Sequence, residues 1–405
     1  TMVVRRPQTA ASPETRVWRV HDVASKPAPE VVVVGAGIVG CAVAYRLAQR
    51  GVSVALLEQA RPGAEASSAA AGILMPEAQP GADPDLVRWW IAGLRGYSAF
   101  VREVSEESGI AVEARFAGRW LVTLTDEGVE DLRQYVERQR AVGIAVDVLD
   151  GDEARRAVPY LSESVRAAAF FPGQGQVDNP RLVEAVALAA RRAGARIVSG
   201  CSVRSVVVQG GRAVGVDLGG ERLGADAVVV AAGAWTRFLA EDGVVPVGPA
   251  KGQILALVPS DHLPRHIVTT GSCVIASRGD GRVVVGSTVE TAGYDKAVTA
   301  EGVLTLLQQA LLVAPGLRSA RLDGVWAGLR PVAPDGLPVI GRGGVEGLWY
   351  ASGHFKKGIL LGPLTGDVVA DLVLGSTPPL PVAAFDPRRH IAPGEATQAP
   401  PRRRQ

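Results

Sequence analysis

The residues best suited to chemistry near the start of the chain are Gly35, Gly37 and Gly40, spaced as Gly-x-Gly-x-x-Gly, with Glu58 eighteen positions beyond the last of them. Glycine at the first position permits a tight turn. At the second it lets backbone approach a pyrophosphate, and at the third it lets a helix pack closely on a strand. The amino terminus of the helix that follows would offer free N–H groups and a partial positive charge to that pyrophosphate, with Ile38 and Val39 among the cofactor-binding residues. A carboxylate at Glu58 suits ribose hydroxyls and would repel a 2′-phosphate. The expected ligand is therefore a dinucleotide.

The flanking residues supply the elements this requires. Val31 to Val34 is a β-branched run of the kind buried on both faces of a parallel sheet. A helix is expected from about Cys41 to Arg50, closed by Gly51, then a second strand over Ser53 to Leu57. Further helices are expected over 84–108, 127–141, 303–313 and 358–374, and another over 180–192, with Asn179 as its N-cap and Pro180 at its first turn. Residues 195–198, 203–208, 214–217 and 227–232 read as one set of strands attached to the dinucleotide fold. Residues 244–290 read as an antiparallel sheet with a turn at Gly279-Asp280-Gly281.

Composition narrows the classes. Of 405 residues 47% are apolar, and 43 basic against 41 acidic residues leave a net charge of +2. That balance gives no electrostatic case for nucleic acid or an anionic membrane surface. The longest weakly polar run, 31–45, falls short of the ~20 apolar residues of a spanning helix. Arg5-Arg6 is followed by no apolar stretch, so no export signal is read. Cys41, Cys201 and Cys273 have neither disulfide-framework nor metal spacing, and Cys41 and Cys273 read as small core residues. A cytoplasmic protein is expected, with disordered tails over 1–29 and 391–405.

Three further segments could approach the cofactor. Ser67, Ser68, Ala71, Gly72 and Leu74 lie in a small-residue stretch after Glu58. Val228 to Trp235 is a buried strand ending in the turn Ala232-Gly233, and Val203 lies in an earlier strand of that set. The third pairs Trp326 to Pro331 and Asp335 to Gly341 with the loop Gly353-His354-Phe355-Lys356-Lys357-Gly358-Ile359. Together, and with Pro249 to Gln253, these motifs resemble the D-amino-acid oxidase family of flavoproteins, collinearly from about residue 30 to 385. Within that family they are most similar to the glycine oxidases associated with thiamine biosynthesis.

The resemblance implies an α/β fold with a Rossmann-like FAD-binding domain (30–90, 166–246, 326–385) interleaved with an antiparallel-sheet, α+β substrate domain (91–165, 247–325). It implies non-covalent FAD, since no cysteine lies around Arg330 to Gly336. It also implies oxidative deamination of a small amine or amino acid by hydride transfer to flavin N5, with hydrolysis of the imine and reduction of O2 to H2O2. Arg330 would hold the substrate carboxylate through two parallel charge-assisted hydrogen bonds; its structural alternative is a surface salt bridge. His354 is given no acid–base role. Val274 stands where the family carries a tyrosine, Lys356 where it carries arginine, and Gln79 where it carries glutamate. These departures imply a larger, more apolar pocket, so glycine is not an automatic substrate. Two other readings stay open: a dehydrogenase passing electrons to a quinone or carrier, and a flavin-bearing interaction protein with weakened activity. Oligomeric state is open too, a homo-oligomer being compatible.

Overall fold

The computed structural model describes residues 27–240, 245–260 and 266–390. The tails expected over 1–29 and 391–405 lie outside these residues except for 27–29. Val31–Val34 is buried at every position and sits between two parallel neighbours, Val54–Glu58 and Ala227–Val230. These strands belong to a six-stranded sheet in the order Val339–Arg342, Leu348–Ser352, Ala227–Val230, Val31–Val34, Val54–Glu58, Arg196–Ser199. Only the Val339–Arg342 edge runs antiparallel to its neighbour. Burial on both faces is what a continuous β-branched run requires.

Helix Ile38–Gln49 covers one face and packs on the final helix, Gly358–Val373. The approach is close because Gly362 and Gly366 face Ile38 and Ala42; a Cβ at either would fall 2.7–2.8 Å from those side chains. The same core takes in Trp89, Tyr97 and Phe100 of the long helix Pro84–Ser108 and Leu182, Val183 and Val186 of Asn179–Arg192.

A second, eight-stranded sheet follows the order Arg321–Val332, Gly248–Val258, Val283–Gly286, Val274–Ser277, Ile267–Thr269, Arg119–Thr123, Ala167–Phe171, Asp147–Asp150. It is antiparallel except where Ile267–Thr269 meets Arg119–Thr123. Its two longest strands, Gly248–Val258 and Arg321–Val332, pair along eleven residues of register. Leu255, Leu257, Val268, Ile275 and Val285 form its core with Leu306 and Ala310 of helix Ala300–Val313. No described helix is long and apolar enough to cross a membrane.

Several local expectations are corrected. The first helix begins at Ile38, three residues earlier than expected, because Gly37 itself serves as its N-cap. The cap of the Asn179–Arg192 helix is Asp178, whose Oδ1 accepts from Arg181 N at 3.1 Å. Asn179 instead turns inward and donates to Ser67 O at 2.6 Å. The strand set expected as one unit divides: 196–199 and 227–230 enter the parallel sheet, while Ser205–Gln209, Arg212–Asp217 and Arg222–Gly224 form a separate three-stranded sheet. The Arg321–Val332 and Ala167–Phe171 strands were not anticipated.

Candidate active site

A cavity of about 910 Å³ runs between the carboxyl ends of the parallel strands and the face of the eight-stranded sheet. At one end the turn Gly35–Gly37 leads into helix Ile38–Gln49, whose first turn holds no acidic residue and whose N-cap offers no side-chain cap. Gly35 has φ +99°, in the left-handed region, and a Cβ there would fall 2.6 Å from Ala231 O. Gly37 is different: a Cβ would meet only Ser67 Oγ, at 3.2 Å, and would otherwise extend into the cavity. Gly40 lies behind the wall, where a Cβ would overlap Gly35 O, so its role is helix–strand contact.

Glu58 is buried, and its two oxygens accept from Ala36 N and Ala60 N, both at 2.9 Å. A carboxylate has about four lone-pair sites, so acceptor capacity is left over for ribose hydroxyls. Ser67 Oγ accepts from Ile38 N at 3.0 Å, fastening the small-residue stretch to the helix start. The bare glycine backbone, the positive helix end, whose first amide alone is taken by Ser67, and the carboxylate together fit an extended dinucleotide.

Of the expected cofactor residues, Gly35, Gly37, Ile38, Val39, Glu58, Ser67, Ala71, Gly72, Val203, Ala232, Gly233, Trp235, His354, Phe355, Lys357, Gly358 and Ile359 line this cavity. Gly40, Ser68, Leu74 and Gly353 stand outside its lining; Leu74 is buried in the helical core, and Ser68 O accepts from Asn179. His354 is 4% exposed, with Nε2 2.9 Å from Thr365 Oγ1, and burial pulls its pKa down to about 4. The imidazole is thus neutral and anchored. Phe355 has φ +47°, the only positive value at a non-glycine residue among the described residues. Strain of this kind, on a cavity wall, is commonly found at ligand sites.

Arg330, Val274, Lys356 and Gln79, from four separate segments, all line the same cavity, and Lys356 is close enough to Arg330 to feel its charge. Arg330 Nη1 donates to Lys251 O at 3.2 Å and Thr288 O at 3.1 Å, and Nη2 to Ser287 Oγ at 2.6 Å. Gly252 makes this possible, since a Cβ there would overlap the guanidinium. Among the described residues no carboxylate lies within 4 Å of it, so the salt-bridge alternative does not hold. Burial lowers the Arg330 pKa, opposed by the charge of Glu290. Lys356 is likewise lowered, first by burial and then by repulsion from Arg330. Two cations thus face the cavity, Arg330 with backbone and hydroxyl partners and Lys356 over the Phe355 ring, an arrangement suited to an anion.

Three charged or hydroxyl-bearing residues of the lining were not anticipated: Glu77, Arg119 and Tyr135. Glu77 accepts from Lys357 Nζ at 2.6 Å and from Tyr135 Oη at 3.4 Å. Burial opposes its ionisation, but Lys357 and then Arg119 outweigh it and lower its pKa. Burial pushes the Tyr135 hydroxyl up to about 12. A charge opening the otherwise apolar run Arg119 to Val122 was the available signal for Arg119.

The sequence matches the DAO family, FAD dependent oxidoreductase, over residues 30–372. It is 36% identical over 372 residues to a glycine oxidase of Pseudomonas putida, covering 89% of this chain and 99% of that one. It is 34% identical over 367 residues to a glycine oxidase of Geobacillus kaustophilus, covering 89% and 97%. The crystal structure of glycine oxidase from Geobacillus kaustophilus matches with a TM-score of 0.85, at 33% identity, over 90% of this chain and 99% of that one.

Proposed function

The chain belongs to the DAO family of FAD-dependent oxidoreductases, and on that premise we propose that it oxidatively deaminates a small amino acid or amine that carries a carboxylate, glycine among the candidates, with O2 as electron acceptor. The observation that carries this reading is the Arg330 guanidinium, unpaired with any described carboxylate, in the same cavity as the Gly35–Gly40 turn. When bound, FAD supplies a two-electron acceptor for the α C–H bond of the amine.

The chain's own contribution is position and charge. Gly37 and the first turn of Ile38–Gln49 would hold the pyrophosphate, Glu58 the ribose, and Ala232, Gly233 and Trp235 would pack alongside. Arg330 binds the substrate carboxylate, and its own geometry is set by Ser287 Oγ and the carbonyls of Lys251 and Thr288. Fixing the carboxylate at one point orients the α-carbon, which lowers the entropic part of the barrier. Lys356 adds positive charge next to Arg330. Val274 contributes apolar wall. No side chain is assigned as general base, and His354 stays neutral above about pH 4. The same reading divides the chain into an FAD-binding domain around the six-stranded sheet and a substrate domain around the eight-stranded one.

The test is an anaerobic screen of amino acids and secondary amines against the purified yellow protein. Bleaching of flavin absorbance is expected with at least one carboxylated amine, and stoichiometric peroxide on readmitting air. A colourless protein, or flavin that no amine reduces, overturns the reading; turnover without peroxide overturns O2 as acceptor.

A further inference from the structure

The strand that carries Gly252 departs from a regular ladder at one point beside Arg330. Lys251 and Glu290 exchange both backbone bonds, Lys251 N donating to Glu290 O at 3.0 Å and Glu290 N to Lys251 O at 2.9 Å. In an antiparallel pair such exchanges recur two residues along each strand, so Gln253 and Thr288 should exchange theirs next. Half of that exchange is present, since Thr288 N donates to Gln253 O at 3.3 Å. The other half is replaced: Gln253 N donates to the Thr288 hydroxyl, Oγ1, at 2.8 Å. The Thr288 carbonyl, released from the ladder, accepts instead from Arg330 Nη1 at 3.1 Å.

The orientation of that hydroxyl is fixed by a polar cluster. Thr288 Oγ1 donates its one proton to Glu290 Oε1, which leaves its lone pairs for Gln253 N. Glu290 is held in turn by Gln253 Nε2 at 2.8 Å and by Lys251 Nζ at 3.2 Å, with Lys251 only 2% exposed. Burial works against ionisation of Glu290, but the bonds from Thr288, Gln253 and Lys251 outweigh it and lower its pKa. An ionised carboxylate only accepts, so the hydroxyl has to donate to it. Gln253 anchors the cluster to the start of helix Ala300–Val313, where its Oε1 accepts from the N-cap residue, Thr299 N, at 2.9 Å. Gly252, Ser287 and Arg330 line the cavity, and Lys251, Gln253, Thr288 and Glu290 do not. Side chains that never meet a ligand thus decide which group the Thr288 carbonyl holds.

We propose that Thr288, backed by Glu290, is a positioning residue for the substrate: its hydroxyl takes the place of its own carbonyl in the sheet and so frees that carbonyl to hold the Arg330 guanidinium. This rests on reading Arg330 as the residue that binds the substrate carboxylate. Valine has the shape of threonine without the hydroxyl. In Thr288→Val the Gln253 amide therefore takes back the carbonyl, no donor in the ladder is left unpaired, and Arg330 loses a contact.

The test titrates acetate into the FAD-loaded protein by calorimetry, so that no turnover is needed. Thr288→Val is expected to weaken acetate by about 5-fold, the order of one lost hydrogen bond, while Thr288→Ser, which keeps the hydroxyl, stays within about 2-fold of the native protein. FAD affinity and melting temperature should stay at their native values in both variants. A merely structural role would lower these in step with acetate affinity, and that result would overturn the proposal. So would native acetate affinity in Thr288→Val, an equal loss in Thr288→Ser, or a native protein that binds no acetate. If Thr288→Val fails to fold, Thr288→Ala removes the same hydroxyl and is read in the same way. Failure of the underlying readings shows separately: acetate affinity unchanged in Arg330→Ala sinks the carboxylate role, and flavin that no amine bleaches sinks the deamination.

Discussion

Lys357 Nζ lies 2.6 Å from Glu77 Oε1, with side chains only 8% and 14% exposed, on the wall of the cavity that holds Arg330. Lys357 also donates to Met75 O at 2.9 Å, and its ammonium lies 5.4 Å from the Trp90 ring centre. The pair ties the loop after Ile73–Leu74 to the start of the final helix, so two sides of the cavity are pinned by one ion pair. Lys357 is thereby occupied, and Lys356, which has no such partner, is the lysine that can act on a ligand.

Lys357→Met should destabilise the fold by about 3–5 kcal/mol, because it strands the Glu77 carboxylate in a buried site. Chemical denaturation measures this. The double variant Lys357→Met with Glu77→Leu should recover most of the loss; a double variant as unstable as the single one would show that the ion pair is not the cause.

Gly37→Val should abolish FAD binding while the apoprotein keeps its melting temperature, since the new side chain extends into the cavity and meets only Ser67 Oγ. Gly40→Ala should do the reverse and lower the melting temperature, because its Cβ overlaps Gly35 O. Flavin absorbance and thermal melts of the two variants separate ligand exclusion from lost packing. Stoichiometric yellow colour in Gly37→Val would refute the assignment.

Arg330→Ala should weaken carboxylate binding by about 2–4 kcal/mol, read as a raised KM for a carboxylated substrate. Gly252→Ala should produce a loss of the same kind without touching substrate, because its Cβ displaces the guanidinium. An unchanged KM in Arg330→Ala would point to a substrate without a carboxylate.

His354 gives a pH prediction. Its pKa is about 4 in the folded chain against 6.5 for the free side chain, and burial is the cause. The unfolded chain binds more protons between those values, so stability rises with pH from about 4 to 6.5 and is constant above. The total is at most about 3 kcal/mol. Melting curves across that window should show the slope, and His354→Gln should flatten it.

Lys356 should lose its charge on the alkaline side at a pH below the ordinary 10.5, because burial and Arg330 both disfavour the ammonium. Acetate affinity should therefore fall as pH rises towards that value, and Lys356→Arg should hold it level. Calorimetric titration of acetate at several pH values would show either outcome.

The parts of the molecule legible in the sequence are those whose meaning is local. The Gly35–Gly40 turn, the all-buried Val31–Val34 strand and Glu58 lie within one stretch of chain, where steric limits on φ and hydrophobic periodicity act on near neighbours. Arg330 and the Gly353–Gly358 loop were legible through their resemblance to a family, without their contacts. Asn179 shows the limit even at short range. Its type suits a cap, yet a hydrogen bond to Ser67, 112 residues away, decides its orientation.

The contacts of Arg119 and Arg330, two cations on the cavity lining, could not be read in this way. Arg119 meets Thr269 across 150 residues, and Arg330 meets Ser287 across 43. Strand order and register bring them together, and these depend on the burial of whole sheet faces, a property of no short segment. Burial also holds His354 neutral and lowers the Lys356 pKa, while Lys357 and Arg119 hold the pKa of buried Glu77 down. The sequence by itself determined that this protein holds a dinucleotide at a glycine turn. Only the tertiary structure decided which charges share its cavity, because desolvation and Coulomb energy depend on distances that packing alone creates.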